Sequence, residues 1–393
     1  MASRPSSWPS TTANLTETTP FPLFTSHPEL LTTRVHLSQL RLRDFRNYSR
    51  LDLEFTPGLH LFLGNNAQGK TNILEAIYLL ATLRSFRGVA SAQMVRHNQT
   101  GYFIGAKIIS EASHEIKIYW SSRQRQLTLD SQPVRKLSDY IGIFRAVVFC
   151  SDDVQLIRGP ASRRRRFIDL ILAQTQTAYL PLLQRYTKAL RSRNALLKQR
   201  SPDNYALESF TEELIAVGKQ IINRRQAILP RVTPLVLEAY HRVANAAEQL
   251  RLDYQPSVRD DFARELTQSR NRERVLKSTL IGPHRDELLL TLDSKSASQF
   301  ASEGQKRSIA IALKLAQAEY LTMHFGAPPV LLIDDVMGEL DARRRTAFLP
   351  LLQRIHRTNS QVFMTCTEEN WPRDLARQAH RYQVSAGSIN AGH

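Results

Sequence analysis

The chain has 393 residues, long enough for two or three domains or for one domain with a large insertion. Hydrophobic residues make up 42% and charged residues 23%, a balance that fills a core, and no run approaches the roughly 20 apolar residues of a membrane helix. A formal net charge of +17 points to a polyanionic partner, nucleic acid first and an anionic membrane surface second.

Residues 1–34 are rich in Ser, Thr and Pro and have no sustained period, which predicts a disordered tail. They lack the apolar stretch of a secretory signal and the arginines of a transit peptide. Residues 35–162 then read as strands, "VHLSQLRLRDF", "SRLDLEF" and "LHLFLG", a helix over 72–83, and more strands, "GYFIGAKII", "HEIKIYW" and "FRAVVFC". This mixture predicts an α/β core with an antiparallel side sheet. Residues 163–275 change period. Leu182, Tyr186 and Leu190, then Phe210, Leu214, Val217 and Ile221, recur at helical spacing on either side of the turn "RSPDN". An inserted arm of antiparallel helices is expected, broken or kinked at Pro181, Pro230 and Pro234. Residues 276–393 return to strands ("STLIGPH", "ELLLTLD"), a helix, and the run "PVLLIDD". Cys150 and Cys366 stand in no metal-ligand spacing and read as buried thiols of a reducing cytoplasm.

The chemistry begins at Gly64, Asn65, Asn66, Ala67, Gln68, Gly69, Lys70 and Thr71, which satisfy GxxxxGK[ST] between a strand and a helix. Such a loop turns backbone N–H groups toward phosphate oxygens, and the helix that follows points its positive end at the same spot. Lys70 is placed to reach the β and γ phosphates of ATP, and Thr71 to hold Mg²⁺. In "PVLLIDDVMGELD" the apolar run reads as a central parallel strand ending in two acids. A buried carboxylate is costly without a cation, so Asp334 is expected on the same Mg²⁺ and Asp335 on the attacking water. Ser302, Gly304 and Gln305, in "SEGQ", open a helix that can present a second phosphate-binding end.

The string "SEGQ" stands where the ABC-type ATPases carry their signature, and Asp341 in "GELD" matches their D-loop. The stretches "LRDFRNYSRLDLEFTPGLHLFLGNNAQGKTNILEAIYLLA", "VVFCSDDVQLIRGPASRRRRFID", "GPHRDEL", "FASEGQKRSIAIALKLA" and "PVLLIDDVMGELD" resemble the RecF family of bacterial DNA replication and repair proteins, from about Val35 to Cys366. The resemblance implies an ABC-type head with an inserted helical arm, a slow ATPase, and an ATP-dependent homodimer at single-strand/double-strand gap junctions of DNA. It further implies work with RecO and RecR in loading RecA, a part in SOS induction, and no membrane. Glu303 departs from the glycine common in transporter signatures, and Asp335 stands where transporters have glutamate. No histidine follows the last strand, so the γ-phosphate sensor stays open, with Thr365 a candidate, and Gln155 is the nearest candidate for the family's linking glutamine.

The basic residues cluster. Arg163, Arg164, Arg165 and Arg166 open the arm, Arg191 and Arg193 follow on the same helical region, and Arg84 and Arg87 come after the nucleotide-loop helix. Contacts from such clusters to backbone phosphates are salt-dependent and tolerant of sequence. The structural alternative pairs these arginines with Asp152, Asp153 or Asp169 to brace the arm. Arg46 and Asn47 in "FRNY" are candidates for a nucleotide contact or for an edge turn. Two other functions stay open: a transporter-type subunit whose basic arm docks on a membrane or protein, and a scaffold that binds ATP without cycling.

Overall fold

The computed structural model describes residues 35–110, 112–244, 248–336, 345, 360–367 and 379–392. Its centre is a six-stranded sheet with the order β15-β14-β3-β13-β12-β8. The strands are β3 (Gly58–Leu63), β8 (Ala146–Cys150), β12 (Val330–Asp334), β13 (Gln361–Cys366), β14 (His380–Ser385) and β15 (Ser388–Gly392). All neighbours are parallel except β15 on β14. The near-continuous apolar runs of β8, β12 and β13 follow from burial on both faces. Along β12, Val330 and Leu332 point into one core while Leu331 and Ile333 point into the other.

The first core lies under an antiparallel sheet of order β2-β1-β4-β5-β6-β7. It comprises β1 (His36–Phe45), β2 (Tyr48–Glu54), β4 (Gly101–Ile109), β5 (Ser113–Ser121), β6 (Arg125–Leu129) and β7 (Gln132–Pro133). Leu40 and Leu42 of β1 meet Ile104, Ala106 and Ile116 there, together with Ile73, Leu74 and Ile77 of helix α1 (Lys70–Thr82). The second core holds α3 (Ala161–Thr175), α4 (Tyr179–Leu197), α5 (Asn204–Ala244) and α8 (Glu303–Phe325). The short α2 (Gln155–Arg158) enters this layer from β8, and α7 (Ala297–Phe300) precedes α8.

Three expectations change. Helix α5 runs unbroken through Pro230 and Pro234 for 41 residues, and Pro181 sits in the first turn of α4. A first-turn proline forfeits no helical hydrogen bond. Pro230 and Pro234 are four apart and exposed, so the carbonyls they leave unpartnered face water rather than the core. The stretch Ser278–His284, read as a strand, is a loop. Its chain turns at Gly282 (φ 130°), where a Cβ would stand 2.5 Å from the Tyr186 hydroxyl. Conversely, the segment read as helical contains β9 (Leu250–Gln255), which pairs with β10 (Glu287–Leu292), followed by α6 (Phe262–Leu276). β11 (Lys295–Ser296) completes that small sheet. The tail 1–34 and Asp341 lie outside the described residues.

Candidate nucleotide site and basic surfaces

Register brings the carboxyl ends of the parallel strands together: Asp334 stands opposite Cys150 on one side and Thr365 on the other, and Cys366 opposite Leu63. In parallel α/β sheets this edge is where ligands bind. The loop 64–71 leaves β3 there and ends in α1. Gly69 caps α1 with φ 116°, and a Cβ on it would meet Asn47 Nδ2 at 2.6 Å and the Tyr48 hydroxyl at 2.8 Å. Gly64, at φ 148°, passes so close to the Val384 carbonyl that a Cβ would lie 2.3 Å from its oxygen. Both glycines are therefore fixed by conformation and by crowding.

Lys70 is buried, and its Nζ donates to the carbonyls of Gly64 (2.6 Å) and Asn65 (2.8 Å). Burial lowers the lysine pKa, against the pull of Asp335 and Asp334. Thr71 Oγ1 and Thr365 Oγ1 both donate to Asp334 Oδ1, at 2.8 and 2.9 Å. Burial raises the Asp334 carboxyl above its ordinary range despite those two donors. The Asp335 N–H donates to Thr365 Oγ1 at 3.0 Å, and its φ of 53° swings the chain out of the strand. Lys70, Thr71, Asp334, Asp335 and Thr365, all singled out in the sequence, thus lie in one cluster. Asn65, Asn66 and Ala67 form the exposed crest of the loop.

A brace behind the loop, buried at Tyr48 and Glu75 and reaching solvent at Arg87 and Ala386, was not foreseen. Asn47 Nδ2 and the Tyr48 hydroxyl donate to the carbonyls of Gln68 and Gly69 at 2.9 and 3.1 Å. Asn72 donates to Asn47 at 2.8 Å, and Arg87 to Asn72 at 3.2 Å. Ala386 N donates to Gln68 Oε1 at 2.7 Å, and Gly387 N to the Gln68 carbonyl at 3.1 Å. Glu75 is fully buried in α1, clasped by Arg46 at 2.7 Å on both oxygens and by the Ser85 hydroxyl. Its signal was a lone acid inside "NILEAIYLLA", where the helix is otherwise buried and apolar. Arg46 is therefore committed to Glu75, while Asn47 shapes the loop from behind.

Ser302 caps α8: its Oγ accepts from Gln305 N at 3.2 Å, and Gln305 Oε1 accepts from Ser302 N at 2.6 Å. Gln305 Nε2 donates to Glu248 at 2.7 Å, while Gly304 opens the first turn. Glu303 pairs with Arg158 of α2 and with Lys306 at 3.5 Å. The acid that departs from the transporter pattern is thus held by its own chain. Gln155, the candidate linking glutamine, begins α2 and lines a cleft with Asp152, Arg163, Arg166 and Lys314.

The arginines divide. Arg84, Arg87, Arg166 and Arg191 are exposed. Although Arg166 reaches solvent, it sits in a cleft with Tyr78 and Phe167. Partial desolvation there, then the charges of Arg84 and Arg163, lower its pKa, so these three share one patch. Arg163 pairs with Asp152 at 3.3 Å. Arg164 is a brace, gripping Glu287 at 2.7 and 2.8 Å and donating to the Leu156 and Gly159 carbonyls. Arg165 donates to the Asp286 carbonyl at 2.6 Å. Arg193 is corrected outright. Its side chain is 1% exposed, paired with buried Glu273 at 2.7 Å and bonded to Thr211 and Thr279, so no phosphate reaches it. Arg225, also buried, joins Asp169 and Asp286. Among the described residues no helix is long and apolar enough to cross a membrane.

The comparisons with known proteins agree with this geometry. The family model for the RecF/RecN/SMC N-terminal domain matches residues 36–389. A Symbiobacterium thermophilum protein described as DNA replication and repair protein RecF is 37% identical over 376 residues, spanning 90% of this chain and 98% of its own. The protein of the same description from Streptococcus uberis is 36% identical over 366 residues, spanning 90% and 99%. A solved structure of the recombination mediator protein RecF with ATP, in the RecFOR pathway, superposes with a TM-score of 0.83 at 28% identity, covering 92% of this chain and 98% of that one. A Pyrococcus furiosus Smc head shares the fold at a TM-score of 0.53 and 16% identity, covering 91% and 96%.

Proposed function

The chain belongs to the RecF family, within the RecF/RecN/SMC N-terminal domain class, and from that membership we propose an ATP-driven clamp that dimerises on gapped DNA during recombinational repair. The single observation that carries this reading is the convergence of Lys70, Thr71, Asp334 and Thr365 at the carboxyl edge of the central sheet.

The residues fit ATP with Mg²⁺. The Thr71 and Asp334 oxygens are 2.8 Å apart, close to the roughly 3 Å edge of an octahedral Mg²⁺ site with bonds of about 2.1 Å. Bound there, Mg²⁺ would neutralise charge on the β and γ phosphates. The loop 64–71 supplies N–H donors, and Lys70 exchanges its carbonyl partners for phosphate oxygens. Asp335, held by Thr365, orients the attacking water. Its short side chain and the missing switch histidine suit slow turnover. Ser302, Gly304 and Gln305 serve the nucleotide of the opposite protomer, because a helix start of this kind offers its N–H groups to phosphate.

DNA contact falls to the exposed basic residues Arg84, Arg87, Arg166 and Arg191, with Arg163 at their margin. The partners in this reading are single-stranded and double-stranded DNA at a gap junction, then RecR and RecO, and through them RecA; SOS induction would follow from RecA loading. The test is band-shift titration of gapped, duplex and single-stranded DNA with and without ATP. Tighter retention on gapped DNA with ATP, lost in Lys70→Met, supports the reading. Equal retention with and without ATP refutes it.

A further inference from the structure

Along α6 the arm carries an open cleft of about 860 Å³, apart from the residues assigned to ATP and DNA. Arg259, Arg264, Arg272 and Arg285 line it, and all four are exposed. Among the described residues no carboxylate lies within ion-pair distance of any of these guanidinium groups, although arginines nearby are paired, Arg270 with Glu208 and Arg193 with Glu273. Two of the acids in the same wall have backbone partners. Glu265 Oε1 accepts the N–H groups of Arg259 and Asp260, each at 2.8 Å. Asp261 Oδ1 caps α6 through Arg264 N at 2.7 Å, and its other oxygen lies 3.9 Å from Lys219. The third acid, Asp260, is exposed.

The apolar part of the wall is aliphatic. Leu280 and Ile281 are half-buried, and among the described residues no aromatic side chain lines the cleft. One turn past Arg272, on the same side of α6, Val275 and Leu276 are 80% and 53% exposed. Arg285 donates to the Ser278 hydroxyl and the Thr279 carbonyl at 3.4 and 3.3 Å. Guanidinium groups without a carboxylate partner beside exposed aliphatic carbons suit a ligand that carries both carboxylates and apolar side chains.

We propose that this cleft binds an acidic, leucine- or isoleucine-bearing segment of a partner protein. Arginine clusters recognise acidic motifs through bidentate bonds, and the aliphatic wall receives the apolar side chains between the carboxylates. Nucleic acid is the poorer fit. Bases stack on aromatic rings, which the wall lacks, and an unbroken phosphate track would cross Asp260, Asp261 and Glu265. The proposal is independent of the nucleotide reading.

The experiment uses the full chain and a short fluorescein-labelled peptide of alternating acidic and leucine residues, followed by anisotropy. A peptide with Gln and Asn replacing the acids and a labelled single-stranded oligonucleotide run in parallel. The variant is Arg264→Glu with Arg272→Gln. A glutamate in the first turn of α6 suits the helix, and neither arginine has an ion pair to lose, so the fold should stand with an unchanged melting temperature. The expected result is saturable binding of the acidic peptide, absent for the neutral one, and weakened about tenfold or more in the variant. Oligonucleotide affinity should stay the same in the variant. If oligonucleotide binding falls by that factor instead, the cleft is a nucleic-acid surface and the proposal is overturned. It is equally overturned if the acidic peptide binds no better than the neutral one.

Discussion

Thr365 carries two jobs through one hydroxyl, donating to Asp334 and accepting from the Asp335 N–H. Thr365→Val keeps the shape and removes both bonds. Losing a hydrogen bond to a buried charged group costs about 1.5–3 kcal/mol, so ATP turnover should fall about tenfold or more while nucleotide affinity, set by the loop 64–71, holds. Steady-state hydrolysis beside fluorescent-nucleotide titration measures the two separately. A second residue sets acid stability. His60 is fully buried, bonded to the Tyr382 hydroxyl and the Thr56 carbonyl, and burial lowers its pKa from 6.5 to about 4. The folded state therefore holds fewer protons than the unfolded chain between these values, and stability falls as pH drops through that window. The loss amounts to roughly 3 kcal/mol near pH 4. His60→Phe should be weaker at neutral pH yet show a shallower acid limb in chemical denaturation. At this scale the cluster proposed for the nucleotide was legible because glycine, lysine and acid spacing is dictated by phosphate and metal chemistry. Asn47, Tyr48 and Glu75 were not, since a brace depends on which chain segments meet behind the loop.

The elements of the arm show why charge in a sequence has two meanings. Arg191 and Arg193 are two residues apart on α4, so they face different sides of the helix: one is exposed, and the other is locked onto Glu273. Arg193→Met should strip buried Glu273 of its ion-pair partner, leaving it only the Leu280 N–H, and lower stability by about 3–5 kcal/mol without changing the salt dependence of DNA binding. Arg191→Ala should leave the melting temperature unchanged and reduce the log–log salt slope on duplex DNA by about 0.9. Calorimetry and salt titration on both variants test this pair of outcomes. The helical period of the arm was readable from Leu214, Val217 and Ile221, which do form the buried face of α5. The continuity of α5 was not, because a proline in a helix interior costs least where the freed carbonyl can reach water, and exposure is a tertiary property. The same limit hid β9, whose alternation in "LRLDYQ" is short and gains its meaning only beside β10.

Among the described residues one sheet divides two cores, and the strand ends between them carry the residues proposed for the nucleotide. Segment 150–166 joins this edge to the rest. It starts at Cys150 opposite Asp334, holds Glu303 of the signature turn through Arg158, and anchors the arm through Arg164. The proposed nucleotide site, the turn at Ser302–Gln305 and the arm are thus joined through one segment. The α/β head and its inserted arm were visible in the change of period along the chain, whereas the linkage through salt bridges appears only once the fold brings distant residues together. The central claim is that ATP closes two such heads, the loop of one on the signature turn of the other. The most direct test is the molar mass by light scattering with ATP and Mg²⁺, for the wild type, Lys70→Met and Ser302→Arg. The wild type should move from the monomer's 44.9 kDa to the dimer mass. Both variants should remain monomeric, and Ser302→Arg should still bind ATP. A wild type that stays monomeric when saturated with ATP, or a Ser302→Arg variant that dimerises normally, would contradict the account.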